Sequence, residues 1–318
     1  MRTTPLLVLA YNRPDKVRNL IDQLRPQAPR HLMIAVDGPK PGNPDDAAKV
    51  TAVHRVIETI DWTDDVETRL RPVNLGLRVA VIDAVSWAVE RHGQAIIIEE
   101  DVLPGPDWAP YAEHMLDRFR DDSRIEHISG FNVVPPRVLG ANAGENRLTL
   151  YPQSIAWGTW DRAWSNFDGS LDWALNVSVA DLTRLTGSRF AALRWKQNFA
   201  DAAAERISTW AYRWISSMWS RGALTLSPNH NLVRYAGYDE GTNSILKPPW
   251  TELPLFDGDP AILYDTDDIA RNVQADGWVN KTVFAGTPFG VARGVAITAA
   301  LAARKRLRQS RARRRAAV

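Results

Sequence analysis

The chain has 318 residues, of which 45% are hydrophobic and 24% are charged, and its formal net charge is +2. This composition predicts a globular protein with a substantial core, built as one large domain or as two closely apposed ones. The lack of cysteine excludes disulfide bonds, thiolate metal sites and a cysteine nucleophile.

The first half of the chain alternates strand and helix patterns. The apolar run from Pro5 to Ala10 predicts a buried strand, and Asn12 is placed to cap a helix that has Pro14 in its first turn. Further strands are predicted at 31–36, 66–70, 95–98 and 125–129, and further helices at 44–60, 77–90 and 108–120. This alternation predicts an α/β fold, in which helices flank both faces of a mostly parallel sheet.

Three acidic residues, Glu99, Glu100 and Asp101, directly follow the predicted strand at 95–98. Open α/β sheets bind their ligands at the carboxyl ends of their strands, and carboxylate oxygens suit Mg²⁺ or Mn²⁺. The triplet therefore predicts a divalent cation that bridges a diphosphate. An acidic turn before the Pro-Gly-Pro segment at 104–106 is the alternative.

Several common catalytic motifs are absent from the sequence. It contains neither the glycine patterns of dinucleotide-binding and P-loop proteins nor an HExxH zinc motif nor a GxSxG nucleophile elbow. A nicotinamide-dependent dehydrogenase and a Walker-type nucleotidase are thus disfavoured. The candidate ligands that remain at the sheet edge are carboxylates.

Tryptophan is concentrated in the second half of the chain. Of the 13 tryptophans, eight fall at positions 157, 160, 164, 173, 195, 210, 214 and 219. Such a cluster either builds a core, the more frequent outcome for a single tryptophan, or lines a cleft on which sugar rings stack. The helical spacing of Trp210 and Trp214 favours the core, whereas Trp157 and Trp160, beside Gly158, are predicted in a turn that walls a cleft.

An ordered series of motifs resembles a known family. The motifs of the first half are Ala10-Tyr11-Asn12-Arg13-Pro14, Val36-Asp37-Gly38, Asn74-Leu75-Gly76-Leu77 and Ile98-Glu99-Glu100-Asp101. Those of the second half include Ala156-Trp157-Gly158-Thr159-Trp160 and Trp210-Ala211-Tyr212-Arg213-Trp214. The series is similar to sugar-nucleotide glycosyltransferases of the GT-A fold, especially bacterial family 2 transferases and N-acetylglucosaminyltransferase I, over about residues 5–245.

The resemblance implies a Rossmann-like GT-A fold with a tryptophan-rich acceptor half. Residues 1–150 would form the nucleotide-sugar-binding half, and residues 151–285 the acceptor-binding half of the same domain. Residues 286–318 would form a basic C-terminal tail that is amphipathic or disordered.

The resemblance also implies a role for each matching residue. Arg13 would contact the nucleotide diphosphate, Asp37 the base or ribose, and Asp101 the Mn²⁺ or Mg²⁺ ion. Glu99 and Glu100 would approach the sugar and the water shell of the metal. The other implied substrate-binding residues are Ala10, Tyr11, Asn74, Trp157 and, in a late loop that closes over the nucleotide, Thr242. Local roles are open as well: Asp37 and Asn74 fit turns, and Arg13 fits a solvated first helical turn.

The catalytic base is where the chain departs from the family. Relatives commonly carry an acid within or just before the segment that matches Ser208 to Tyr212, and this chain has none there. Asp201 and Glu205 are the nearest candidates, and Asp239 or Glu240 in the closing loop is a further option. One of them acting as base would make the transfer inverting; without a base the protein would be retaining or impaired.

The function that follows is metal-dependent transfer of a sugar from a nucleoside diphosphate sugar, UDP-linked, to a hydroxyl of a glycan or glycolipid. A sugar-nucleotide pyrophosphorylase is one alternative, although residues 10–14 lack the glycines of its phosphate loop. A non-catalytic carbohydrate-binding protein on a decayed transferase fold is the other, and the missing acid near Trp210 favours it.

The two ends of the chain bear on location. The N-terminus lacks the apolar core of a signal peptide, and no run approaches the ~20 apolar residues that span a bilayer, so a cytoplasmic protein is expected. Residues 304–315 carry eight Lys or Arg and no acid, after an Ala- and Val-rich stretch at 294–303. This pattern fits a basic amphipathic helix on an anionic membrane surface, or a solvated tail. Nucleic-acid binding is not expected, because no RNA-binding motif accompanies the charge.

Overall fold

The computed structural model describes residues 4–140, 143–237, 248–266 and 269–297. The first half of the chain contains β1 (Leu6–Ala10), α1 (Pro14–Leu24), β2 (Leu32–Val36), α2 (Pro44–Ile57), β3 (Val66–Leu70), α3 (Leu77–His92), β4 (Gln94–Glu99), β5 (Val102–Pro104), α4 (Trp108–Arg118) and β6 (Ile125–Ser129).

The second half contains α5 (Pro136–Leu139), β7 (Asn146–Thr149), β8 (Ala156–Trp160), α6 (Asp161–Trp164), α7 (Asp172–Asn176), α8 (Val179–Thr186), α9 (Arg189–Ala203), α10 (Ala211–Ser220), β9 (Leu224–Pro228), β10 (Val233–Tyr235) and α11 (Val273–Thr282). Short 3₁₀ helices lie at Arg25–Gln27, Pro249–Glu252 and Pro260–Tyr264, and residues 288–297 are helical.

One mixed sheet of eight strands, in the order β3-β2-β1-β4-β8-β6-β9-β7, runs through both halves of the chain. Strands β3, β2, β1 and β4 pair in parallel, and β9 is parallel to β6. Strand β8 is antiparallel to both β4 and β6, and β7 is antiparallel to β9. The predicted α/β fold with a mostly parallel sheet is therefore confirmed.

Strands β1 and β4 form the centre of the parallel part. The side chains from Leu6 to Leu9 are 0 to 9% exposed, and those from Ile96 to Ile98 are 0 to 3% exposed. Continuous apolar runs of this kind are typical of strands that are covered on both faces. Leu9 lies opposite Glu99 in the register, so the acidic triplet begins where β1 and β4 end.

The helices follow the predicted apolar stripes but differ at their ends. Asn12 does not cap α1, because its side-chain amide donates to Asp46 Oδ1 (2.6 Å). Arg13 occupies the N-cap position, and its side chain makes no hydrogen bond to the first turn of the helix. Helix α2 ends at Ile57 instead of residue 60, whereas α3 runs two residues beyond the prediction. It ends where Gly93 takes a left-handed conformation (φ 81°).

The tryptophans of the second half build the core, as the spacing of Trp210 and Trp214 predicts. These two side chains are 3% and 1% exposed. Ring centroids are 5.2 Å apart for Trp157 and Trp210, and 5.0 Å apart for Trp164 and Trp214. The cluster therefore packs β8 and α6 against α10.

The prediction of a cleft wall is wrong for Trp157, whereas Trp160 does line a cavity of about 600 Å³. Both lie in β8, and their side chains are 0% and 2% exposed. Gly158, which suggested a turn, is opposite Ile96 in the sheet, where a Cβ would lie 3.1 Å from Leu116. The glycine provides room for helix packing in a regular strand.

The described residues include no helix long and apolar enough to cross a membrane. The basic segment 304–315, on which the membrane-surface prediction depends, lies outside the described residues.

Candidate functional site

A cavity of about 330 Å³ lies at the carboxyl ends of β1, β2 and β4. It opens at the sheet edge where α/β proteins place their ligands. The structure brings eight of the sequence-predicted site residues together in its lining: Ala10, Tyr11, Arg13, Asp37, Asn74, Glu99, Glu100 and Asp101. These residues come from four separate parts of the chain, which only the parallel sheet places side by side.

The acidic triplet shares the guanidinium of Arg13. Arg13 Nε lies 2.7 Å from Glu100 Oε1, and its Nη1 lies 2.9 Å from Asp101 Oδ2. Glu100 and Asp101 are buried, at 5% and 4% exposure, while Glu99 is half-buried. Within the described part of the chain, the side-chain carboxylate of Glu99 accepts no hydrogen bond. Three carboxyl groups thus lie beside one guanidinium, which contacts two of them.

The pKa values of Glu99 and Glu100 are both raised, mainly because these two carboxyl groups are buried. Burial raises the pKa of Glu99 to about 8; Asp101 and Glu100 add to the rise, and Arg13 opposes it. Burial raises the pKa of Glu100 to about 7, again against the effect of Arg13. Ionising Glu99 and Glu100 together is therefore unfavourable. A further positive charge at this position would favour their ionised forms.

Asp101 carries the clearest unsatisfied atom of the site. Its Oδ1 is buried and has no hydrogen-bond partner among the described residues, whereas Oδ2 receives Arg13. A buried carboxylate oxygen without a partner is strongly unfavourable. Because the other donors beside it are carboxylate oxygens, the residues present fit a hard divalent cation.

The loop between β1 and α1 is held to the triplet through Tyr11. Its main-chain nitrogen donates to Glu100 Oε2 (2.7 Å), and its hydroxyl donates to Asp46 Oδ2 (2.6 Å). Lys40 lies 5.9 Å from the centre of the Tyr11 ring and also lines the cavity. Asp46, which the sequence analysis did not single out, therefore positions the wall that carries Arg13.

Asp37 organises the loop that leads into α3. Its two oxygens accept four hydrogen bonds of 2.8 to 3.1 Å, from the main-chain nitrogens of Gly38, Leu75 and Gly76 and from the Asn74 amide. The turn roles left open for Asp37 and Asn74 are thus confirmed. Contact of Asp37 with a base or ribose stays a prediction, and it would have to share this carboxylate with the loop.

Two cationic residues, Arg69 in β3 and Arg71 just after that strand, form a part of the cavity wall that the sequence analysis missed. Both pair with Asp83 of α3, Arg69 Nη2 at 3.1 Å. Residues two apart in an extended chain lie on the same side, and this spacing was the signal available in the sequence.

The candidate bases Glu205 and Asp201 are not among the residues that line the cavity. Glu205 pairs with Arg78 of α3 and with Arg213 (3.0 Å), and Asp201 pairs with Arg206 (2.6 Å). The structure therefore does not bring these two acids to the triplet. Trp157, predicted to bind substrate, is a core residue as described above.

Asp239 and Thr242 lie outside the described residues. Gly237, the last described residue before them, lies against Asp101: a Cβ at Gly237 would collide with Asp101 Oδ2. The nitrogen of Ala236 also donates to the main-chain oxygen of Asp101 (2.8 Å). Ala236 and Gly237 thus lie directly beside the acidic triplet.

In a comparison with known proteins, no family model and no curated protein matches the chain. The likeness to GT-A transferases stays a prediction from the ordered motifs.

Proposed function

We propose that the chain is a metal-dependent glycosyltransferase that moves a sugar from a nucleoside diphosphate sugar, UDP-linked, to a hydroxyl of a glycan or glycolipid. The observation that carries this proposal is Asp101, whose buried Oδ1 has no hydrogen-bond partner among the described residues and which lines a cavity with Glu99 and Glu100. The proposal includes the GT-A fold, a cytoplasmic location and an inverting outcome.

Asp101 is the direct ligand for Mn²⁺ or Mg²⁺ in this proposal, and Glu99 and Glu100 face the sugar and the water shell of the ion. When bound, such an ion would neutralise negative charge on the diphosphate leaving group. The excess of carboxylates over guanidinium groups at the triplet supports this assignment.

Arg13 would bind the diphosphate. Its planar guanidinium matches phosphate oxygens, and its present contacts with Glu100 and Asp101 can be exchanged for them. Lys40 and Arg69 add positive charge to the same cavity, which suits an anionic donor. These side chains would hold the donor in place while the acceptor approaches.

An inverting transfer requires a base within hydrogen-bond reach of the acceptor hydroxyl. Asp239, the third candidate, lies outside the described residues. Glu205 and Asp201 would have to leave their arginine partners to act as the base.

Thermal stabilisation by UDP, GDP, CMP and TDP, each with and without Mn²⁺, tests the proposal. We expect one nucleotide to raise the melting temperature of the wild type only with Mn²⁺, and Asp101→Asn to abolish that shift. Asp22→Asn, an exposed acid on α1, is the matched control and should behave as wild type. No shift with any nucleotide would contradict the donor site.

A carbohydrate-binding protein without activity is the second candidate, since Glu205 and Asp201 are held in ion pairs away from the cavity lining. The two proposals differ in turnover. A transferase moves the sugar from the nucleotide sugar to the acceptor hydroxyl and releases the nucleoside diphosphate, whereas a binding protein leaves the donor intact.

A further inference from the structure

His31, Glu67 and His92 meet at the edge of the sheet opposite the nucleotide cavity. His31 directly precedes β2, Glu67 is the second residue of β3, and His92 is the last residue of α3, just before β4. These are the amino ends of parallel strands, whereas the acidic triplet follows a carboxyl end. The cluster is therefore separate from the proposed donor site and does not depend on it.

The donor atoms of this cluster have the spacing of metal ligands. Glu67 Oε1 lies 3.0 Å from His31 Nε2 and 3.2 Å from His92 Nε2, and the three atoms are all within 4.8 Å of one another. Ligand atoms around a tetrahedral zinc ion lie about 3.3 Å apart, given metal–ligand distances of about 2.0 to 2.1 Å. A cation could reach all three after only small side-chain movements.

Within the cluster His92 Nε2 and Glu67 Oε1 form a hydrogen bond of 3.2 Å, but His31 Nε2 is left unsatisfied. His31 is 7% exposed, and its buried Nε2 has no hydrogen-bond partner within the described residues, although Glu67 Oε1 is 3.0 Å away. A buried ring nitrogen without a partner is unfavourable. A cation held by its lone pair would satisfy it.

Neighbouring charges leave the ligand atoms available. Asp65 Oδ2 lies 3.7 Å from His31 Nδ1 on the far side of the ring, while His31 Nε2 is directed towards Glu67. Arg91 Nε contacts the other oxygen of Glu67, Oε2, at 3.1 Å. His92 also lines a cavity of about 600 Å³, which gives an ion a route from solvent.

We propose that His31, Glu67 and His92 form a binding site for a zinc-class transition metal, with Nε2 of each histidine and Oε1 of Glu67 as ligands. Two imidazoles and one carboxylate select Zn²⁺, or Co²⁺ in its place, over Mg²⁺ and Ca²⁺, which prefer oxygen ligands. The ion ties the starts of β2 and β3 to the end of α3, so its role is to stabilise the fold.

Untagged protein stripped with a chelator and titrated with Co²⁺ and then Zn²⁺ tests the site. We expect one equivalent of Co²⁺ to give the visible absorption of a tetrahedral site, Zn²⁺ to displace it, and the melting temperature to rise. His92→Gln and Glu67→Gln should each weaken Zn²⁺ binding at least about tenfold. His114→Gln, an exposed histidine outside the cluster, is the matched control.

The Asp101→Asn variant separates this site from the acidic triplet, because it should keep the Co²⁺ spectrum unchanged. Absence of one-equivalent binding in wild type would overturn the proposal. Equal Zn²⁺ affinity in wild type, His92→Gln and Glu67→Gln would overturn it as well. Glu67→Gln preserves side-chain shape, so a folded variant remains available even if His92→Gln unfolds.

Discussion

Arg13 contacts the carboxylate that the proposed metal ion would use. Its guanidinium already lies 2.9 Å from Asp101 Oδ2, so in the free protein it acts as the counter-ion of that acid. Binding of a metal and a diphosphate would require Arg13 to move from carboxylate to phosphate. Without the nucleotide, Arg13 and the metal ion would therefore compete for the Asp101 carboxylate. With the nucleotide bound, both would hold the diphosphate.

Replacing Arg13 by Gln should separate these two effects. We expect Mn²⁺ alone to bind several-fold more tightly, because a neighbouring positive charge is lost, and nucleotide with Mn²⁺ to bind about 10- to 100-fold more weakly. Isothermal titration with Mn²⁺ and with nucleotide measures both. Arg18→Gln, an exposed arginine on α1, should change neither; a parallel loss of both affinities would contradict the competition.

His127 provides a pH dependence that is independent of the cavity. It is 0% exposed, its ring stacks on Trp157 at 5.0 Å, and its Nδ1 accepts a hydrogen bond from Trp214 Nε1 (3.3 Å). Burial lowers the pKa of His127 to about 3, against the effect of the Gln153 carbonyl. The folded chain thus keeps this histidine neutral where the unfolded chain, with a pKa of about 6.5, takes up a proton.

Stability should accordingly fall as the pH is lowered from 6.5 towards 3. Between pH 6.5 and pH 5 we expect the free energy of unfolding to fall by about 2 kcal/mol more in wild type than in His127→Gln. Urea unfolding at the two pH values measures this difference. An identical pH dependence in the two proteins would show that His127 is not the group responsible.

At the scale of elements, β5 and β10 hold the chain against the acidic triplet. They pair antiparallel directly after Asp101, so that β10 leads Ala236 and Gly237 onto that residue. Gly237 is required here because its hydrogen occupies the space beside Asp101 Oδ2.

Gly237→Ala should therefore displace the Asp101 carboxylate. A Cβ here would collide with the side-chain ends of both Asp101 and Tyr235. Because side-chain ends can move, we expect a melting temperature close to that of wild type and Mn²⁺-dependent nucleotide binding about tenfold weaker. Gly144→Ala, where a Cβ meets open space, is the matched control. Unchanged nucleotide binding in Gly237→Ala would argue against Asp101 as the ligand.

Because Trp157 packs β8 against α10, its replacement should lower stability and leave nucleotide binding unchanged. Its ring lies between His127 and Trp210, away from the cavity lining. Trp157→Phe should lower the free energy of unfolding by about 1 to 3 kcal/mol and leave nucleotide affinity unchanged. Denaturant unfolding and a nucleotide titration test the two halves of this statement; a loss of affinity in the folded variant would restore a substrate role.

Prediction from the sequence succeeded where local pattern decides structure. The apolar runs of β1 and β4 and the stripe of α1 are signals of this kind, and they were enough to place the acidic triplet at a sheet edge. Trp157 was misjudged because a glycine in a strand looks like one in a turn until the helix that packs on it is known. His31, Glu67 and His92 are far apart in sequence, and only strand register brings them together.

At the scale of the whole molecule, positive charge is concentrated in the C-terminal segment, and the rest of the chain carries more acidic than basic residues. Residues 304–315 carry eight basic side chains and no acid, although the formal net charge of the chain is only +2. A protein with this division can bind an anionic surface through one end while the acidic body stays clear of it.

Deletion of residues 304–318 tests that arrangement. We expect the truncated protein to lose binding to vesicles that contain phosphatidylserine, because each lysine or arginine near such a surface contributes about 1 kcal/mol. Turnover with a soluble acceptor should be unchanged. Vesicle sedimentation measures the binding, and full retention by the truncated protein would contradict a membrane role for the tail.

The insertion of β8 between β4 and β6 makes the two halves of the chain mechanically inseparable. Hydrogen bonds from β8, in the second half, pair the backbone edge of β4 that faces away from β1. A fragment cut at residue 150 would expose this edge and aggregate through it. Opening and closing of the proposed active site must then come from loops moving over a rigid sheet, since no hinge can form between the halves.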